Sequence, residues 1–126
     1  MAKLIGKKKI NVAIFASGRG SNLFALIKYS LKKNSKIKIN LIVSDNNKSK
    51  ALRYARNFKI PLLIVNYSTR STAEKKILKK IKYQKIELIC LAGFMKILSK
   101  YFIKEFKHPI LNIHPSLLPK YKGLNT

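Results

Sequence analysis

Short apolar runs alternate with helix-patterned stretches along this chain, and no other sequence feature restricts its folding as much. Five such runs recur: Ile10–Phe15 (INVAIF), Ile37–Val43, Ile60–Val65 (IPLLIV), Ile86–Ala92 (IELICLA) and Pro109–Ile113. In the second, Ile37, Ile39, Leu41 and Val43 alternate with Lys38 and Asn40, which is strand period. The fourth is almost continuously apolar, as expected of a strand covered on both faces of its sheet. Between the runs lie helical patterns. Leu23, Leu26, Ile27 and Leu31 form one stripe over Ser21–Lys33. Lys48–Phe58 reads helical through Ala51, Leu52 and Ala55. Ser71-Thr72-Ala73-Glu74 matches a capping box and predicts a helix start there. That helix turns Ala73, Ile77 and Ile81 inward and leaves Lys75, Lys76, Lys79 and Lys80 mostly on a solvated outer side. Ser99–Phe106 predicts a short fourth helix. The alternation predicts an α/β fold, a doubly wound and mostly parallel sheet. At 126 residues it belongs to one domain, residues 1–126.

In sheets of this kind ligands bind beyond the carboxyl ends of the strands. That rule selects three loops: Ala16–Asn22, Gly93–Ser99 and His114–Gly123. In the first, Ser17-Gly18-Arg19-Gly20-Ser21-Asn22-Leu23 joins a strand to a helix. Its glycines permit a tight turn, and the orphan amides of the helix start favour an anion. A phosphate there would accept from these amides, from the Ser21 hydroxyl and from the Asn22 carboxamide. The sequence is neither the dinucleotide G-x-G-x-x-G, since Leu23 stands at its end, nor a P-loop, since it lacks the lysine. The alternative is a plain turn with a helix cap. In the third loop, Asn112 and His114 lie two apart at a strand end and point to the same side. A carboxamide donor beside a titrating imidazole suits a developing oxyanion and a proton transfer. The alternative there is a structural histidine and a turn-forming asparagine.

Charge excludes less than it suggests. Lys and Arg number 28 against 4 Asp and Glu, a formal net charge of +24. Of the 28, 24 are lysine, whereas forked recognition of phosphate or guanine favours arginine. The lysines spread from Lys3 to Lys122, and lysine, isoleucine and asparagine, all abundant here, have AT-rich codons. Base-composition drift accounts for the charge without selection for a polyanion. Nucleic acid is expected to bind only non-specifically, at low salt. No apolar run approaches the ~18 residues of a membrane helix, and Met1–Ile10 lacks a signal-peptide pattern. One cysteine, Cys90, fits a reducing compartment and reads as a buried small hydrophobe. Two histidines and one cysteine make no ligand cluster, so no metal is expected.

Three stretches together resemble a known family: Ser17–Leu23, Leu91-Ala92-Gly93-Phe94-Met95-Lys96-Ile97-Leu98-Ser99, and Asn112–Gly123 (NIHPSLLPKYKG). From about Ile10 to Thr126 the chain is similar to the phosphoribosylglycinamide formyltransferases (GAR transformylases) of purine synthesis. The resemblance implies a Rossmann-like formyltransferase architecture, of which this chain is the N-terminal part, in a cytoplasmic enzyme. It implies transfer of a formyl group from 10-formyltetrahydrofolate, as co-substrate, to the amine of glycinamide ribonucleotide. Gly20, Ser21 and Asn22 would hold the ribonucleotide phosphate. Arg70, Met95, Lys96, Ile97 and Leu98 would bind the folate. Asn112 would hold the formyl group and its oxyanion, and His114 would be the general acid. Lys96 stands where the family commonly has arginine. Methionyl-tRNA formyltransferases resemble the third loop but typically carry alanine at the place of Pro115 and lack the phosphate loop. They remain the alternative enzyme reading; a non-catalytic basic nucleic-acid-binding fragment is the alternative outside enzymes.

The family continues beyond this chain's Thr126 with an aspartate that pairs with the histidine. Asp45, Glu74, Glu87 and Glu105 all precede the third loop, and none matches that motif. The formyltransferase domain is therefore expected to be incomplete at its C-terminal end. The 126-residue chain alone is expected to show very low transformylase activity and marginal stability.

Overall fold

All five apolar runs form strands and all four helical patterns form helices between them. The computed structural model describes residues 9–18 and 21–113, the side chain of Ser21 excepted. In chain order the elements are β1 (Ile10–Phe15), α1 (Ser21–Ser30), β2 (Ile37–Ser44), α2 (Ala51–Asn57), β3 (Leu62–Ile64), α3 (Arg70–Tyr83), β4 (Leu88–Ala92), α4 (Lys100–Phe106) and β5 (Ile110–Ile113). The strands make one sheet in the order β3-β2-β1-β4-β5, and every neighbouring pair is parallel. The chain winds outward from β1 to β3, returns, and crosses to β4 on the other side of β1. The order reverses between β1 and β4, where doubly wound sheets open a crevice at their carboxyl ends.

Alternation along the strands divides the core into two layers. Ala13, Phe15, Leu41, Val43 and Ile89 face Ala73, Ile77 and Ile81 of α3 and Phe102 and Phe106 of α4. Val12, Ile14, Ile42, Cys90 and Ala92 face Leu23 and Ile27 of α1 and Ala51 and Ala55 of α2. Phe15, Ile14, Leu23, Ile27, Ile77 and Phe102 are fully buried. Each such side chain contributes roughly 1.5–3 kcal/mol relative to exposure. Cys90 sits inside the second layer, and burial pushes its thiol pKa up, so it behaves as the small hydrophobe expected.

Three local expectations are corrected. The alternation in β2 does not keep one face. Val12 pairs with Ile39 and Ala13 with Leu41, so Asn40 is the extra residue of a β-bulge. The bulge reverses the phase: Ile39 joins the α1/α2 layer while Leu41 joins the α3/α4 layer. The stripe of α1 stops short of Leu31, which is 64% exposed. The Ser30 hydroxyl donates to the Ile27 carbonyl at 2.7 Å and the next amides bond three residues back, which closes the helix. Finally, α3 begins at Arg70 with Thr69 as its N-cap, and no side chain caps it. Glu74, the fourth member of the expected capping box, is buried and reaches instead across to Ser99.

Candidate functional site

The loops that leave β1, β2 and β4 meet at the carboxyl end of the sheet, because these three strands are neighbours there. Ser17, just past β1, donates its hydroxyl proton to Asp45 Oδ1 at 2.6 Å. Ser17 Oγ in turn accepts the Met95 N–H, from the loop after β4, at 2.9 Å. Lys96 Nζ lies 3.9 Å from Asp45 Oδ2. Asn46 Nδ2 donates to the Ser17 carbonyl at 3.1 Å, and Ser49 Oγ to the Gly18 carbonyl at 2.9 Å. The turn after β2 thus braces the entry to α1 from below. In dinucleotide-binding sheets an acid at the end of this strand holds ribose hydroxyls. Here the carboxylate is 9% exposed and engaged by Ser17 and Lys96, which argues against a dinucleotide.

The second loop, residues 93–99, opens with Gly93 at φ 76°, a left-handed turn that suits glycine. Phe94 then drops into the α3/α4 layer, edge-on to Phe15 at 5.3 Å and to Tyr67 at 5.8 Å. With Phe94 anchored, the following residues stand clear of the core: Met95 is 77% and Ile97 78% exposed. Ser99 ends the loop as N-cap of α4, accepting from the Phe102 amide at 3.1 Å while its own amide donates to Glu74 Oε2 at 2.8 Å. Between this loop and β5 lies a cleft of about 520 Å³, walled by Leu91, Phe94, Ile97, Leu98 and Ile110, with Lys96, His108 and Asn112 as polar members. Its size and mostly apolar lining are those of a small-molecule site. A groove of about 630 Å³ lies between α3 and α4 at the opposite, amino end of the strands, lined by Asn11, Lys82, Lys85, Glu87 and Glu105 among others. It is distant from the crevice where such sheets bind ligands, so the smaller cleft is the candidate.

Lys96, Ile97, Leu98 and Asn112 are thus brought together around one cleft. Asn112 shares a face of β5 with Ile110, toward the α3/α4 layer. Met95 borders the loop but not the cleft; its amide serves the Ser17 contact. Arg70 is exposed at the first turn of α3, beside Tyr67. Asn22 is half-buried in the first turn of α1, which starts at Ser21. Gly20 and His114 lie outside the described residues. Sequence reasoning missed Asp45, Asn46 and Ser49. A sequence shows loops one strand at a time, and that β2 ends beside β1 is a fact of sheet order. The signal available was an acid and two small polar residues directly after a strand.

Residues 10–126 match the family model described as formyl transferase. The chain belongs to the formyl transferase family. Among solved members, phosphoribosylglycinamide formyltransferase from Brucella melitensis superposes with a TM-score of 0.81 at 37% identity, over 93% of this chain and 62% of that one. Phosphoribosylglycinamide formyltransferase from Bacillus subtilis is 33% identical over 116 residues, 90% of this chain and 60% of its own length. The trifunctional purine biosynthetic protein adenosine-3 of Gallus gallus is 42% identical over 124 residues, 96% of this chain and 12% of that protein. The chain therefore spans about three fifths of single-activity formyltransferases and a small part of the trifunctional one. The five-stranded parallel sheet flanked by helices is the formyltransferase architecture of these neighbours.

Proposed function

We propose that this chain is the amino-terminal part of a single formyltransferase domain, acting in the cytoplasm, that moves a formyl group from 10-formyltetrahydrofolate to the amine of glycinamide ribonucleotide. The observation that carries this reading is the apolar cleft between residues 94–98 and Asn112, opening at the same end of the sheet as the start of α1. A flat pterin ring suits a slot walled by Phe94, Ile97, Leu98 and Ile110, with Lys96 in its lining as a cation for an anionic tail. Arg70, exposed at the first turn of α3 and outside that lining, is the second cation for the tail. Gly20, Ser21 and Asn22 take the ribonucleotide phosphate at the helix start, where amides and dipole favour an anion. The folate supplies the formyl carbon. The nucleotide amine forms a bond to that carbon, and negative charge gathers on the formyl oxygen. Asn112 donates a hydrogen bond to that oxygen. The oxygen then re-forms its carbonyl as the carbon–nitrogen bond to the folate breaks, His114 supplies a proton to the departing folate nitrogen, and the proton lost by the nucleotide amine restores His114. Relatives named phosphoribosylglycinamide formyltransferase at 33–37% identity support the substrate pair.

The test is a two-substrate assay of formyl transfer with variants. His114→Ala abolishes turnover and leaves nucleotide binding intact, whereas Ser21→Ala weakens the nucleotide. Preference for an aminoacyl-tRNA over the ribonucleotide in direct competition would overturn the substrate assignment. Nucleic-acid affinity indifferent to both variants, without formyl transfer, would overturn the enzyme.

A further inference from the structure

At the crevice a single carboxylate sets the geometry of two loops. Asp45 accepts only, so the Ser17 hydroxyl proton, 2.6 Å hydrogen bond in place, is committed to it. The Ser17 oxygen is left with its lone pairs for the Met95 N–H. The other carboxylate oxygen faces Lys96 Nζ. Asn46 and Ser49 fix the backbone of Ser17 and Gly18 from the same turn. Ser17 is 6% exposed, so water does not compete freely for these bonds.

We propose that the Ser17–Asp45 pair is a positioning device that couples the two ligand subsites of this domain. It holds Met95 and Lys96 in register with the stretch that leads into α1, so ordering either loop orders the other. The inference rests on the reading above, in which α1 starts at a phosphate subsite and residues 96–98 border a folate subsite. Neither Ser17 nor Asp45 is assigned to touch a ligand; both act through the backbone and through Lys96. Two loops that share a buried hydrogen bond lose their freedom together. The first ligand to bind bears the ordering entropy, and the second binds a loop already set.

The test uses the ¹⁵N-labelled full-length protein that contains this chain, with glycinamide ribonucleotide and with tetrahydrofolate, which has no formyl group to transfer. In the wild type the nucleotide shifts the Met95 and Lys96 amide resonances, and each ligand tightens the other by about fivefold or more. In Ser17→Ala the nucleotide still binds, the Met95 amide no longer responds, and the mutual tightening disappears. Ser17→Thr keeps the hydroxyl and restores both effects. Asp45→Ala, which removes the acceptor of the Ser17 proton, behaves as Ser17→Ala and replaces it as the test should that variant fail to fold. A purely structural role would weaken both ligands alike and leave their mutual tightening unchanged; that result overturns the inference. Absence of tightening in the wild type, with both ligands bound, overturns it as well and spares the proposed function. A wild type that binds neither ligand overturns both.

Discussion

Glu74 is one of four acidic residues in a chain of formal charge +24, and it is 2% exposed. Its carboxylate accepts from the Ser99 amide and hydroxyl, tying the end of the 93–99 loop to α3. The capping-box motif misread it because S-x-x-E is a local pattern; it does not distinguish a reach back along the helix from a reach across to another element. The helical period did carry the answer: Glu74, Ile77 and Ile81 fall on one stripe, and all three are buried. Glu74→Ala leaves the Ser99 amide without its partner and is expected to lower stability by about 2–3 kcal/mol, read as a fall in the urea midpoint at constant slope. Tyr67 poses the reverse case, a buried hydroxyl with no hydrogen-bond partner among the described residues. Burial first, then the Glu74 and Asp45 carboxylates, push its pKa from 10.0 up to about 12. A raised folded pKa means the proton is held more tightly in the folded chain. The corresponding stability is fully present below pH 10 and is lost as pH rises toward 12. Tyr67→Phe is expected to leave stability at pH 7 unchanged or slightly raised, since no bond is lost, and to fall less steeply than wild type in denaturation across pH 10–12.

Element ends show a recurring strain. Lys59, Lys85 and Lys107, after α2, α3 and α4, all have positive φ, at 55°, 56° and 64°. Glycine or asparagine is the usual occupant of that left-handed position; a lysine there meets Cβ–carbonyl crowding. Its charge near the helix carboxyl end offsets part of the crowding. Lys107→Gly relieves the crowding at the C-cap of α4 and is expected to raise the melting temperature by a few degrees, from a net gain of about 0.5–1 kcal/mol after the added chain entropy. These helix ends were poorly legible in the sequence because glycine, the usual punctuation, is absent from them. Strands were legible wherever apolar runs were bounded, as in Ile10–Phe15, which the structure reproduces residue for residue. The bulge at Asn40 was not, since Lys38 and Asn40 alternate as a regular strand would and the extra residue shows only against β1.

At the scale of the whole molecule, the carboxyl-end rule picks out the loops after β1, β4 and β5 from sequence, and one hydrogen bond, from the Met95 amide to Ser17, joins the first two, while the third lies outside the described residues. The rule that ligands sit at carboxyl ends of parallel strands sufficed for that. It did not reveal the turn after β2, because which strand lies beside β1 is decided by packing of all five. Asp45 and Glu74 bind neighbouring loops, and Glu87 accepts the Asn11 amide at 3.0 Å across from β1. Three of the four acids are thus turned to internal work, and only Glu105 is exposed. A surface so nearly of one sign repels itself, and screening relieves it. The melting temperature is expected to rise between 10 mM and 300 mM salt, followed by circular dichroism; a flat profile would show that the lysines lie too far apart to matter. The same inward turning of acids governs how copies of the molecule meet. With almost no outward carboxylate to answer an approaching ammonium, they behave as like-charged colloidal particles: light scattering at low ionic strength should return a positive second virial coefficient, and a multivalent anion rather than concentration should be what draws them together.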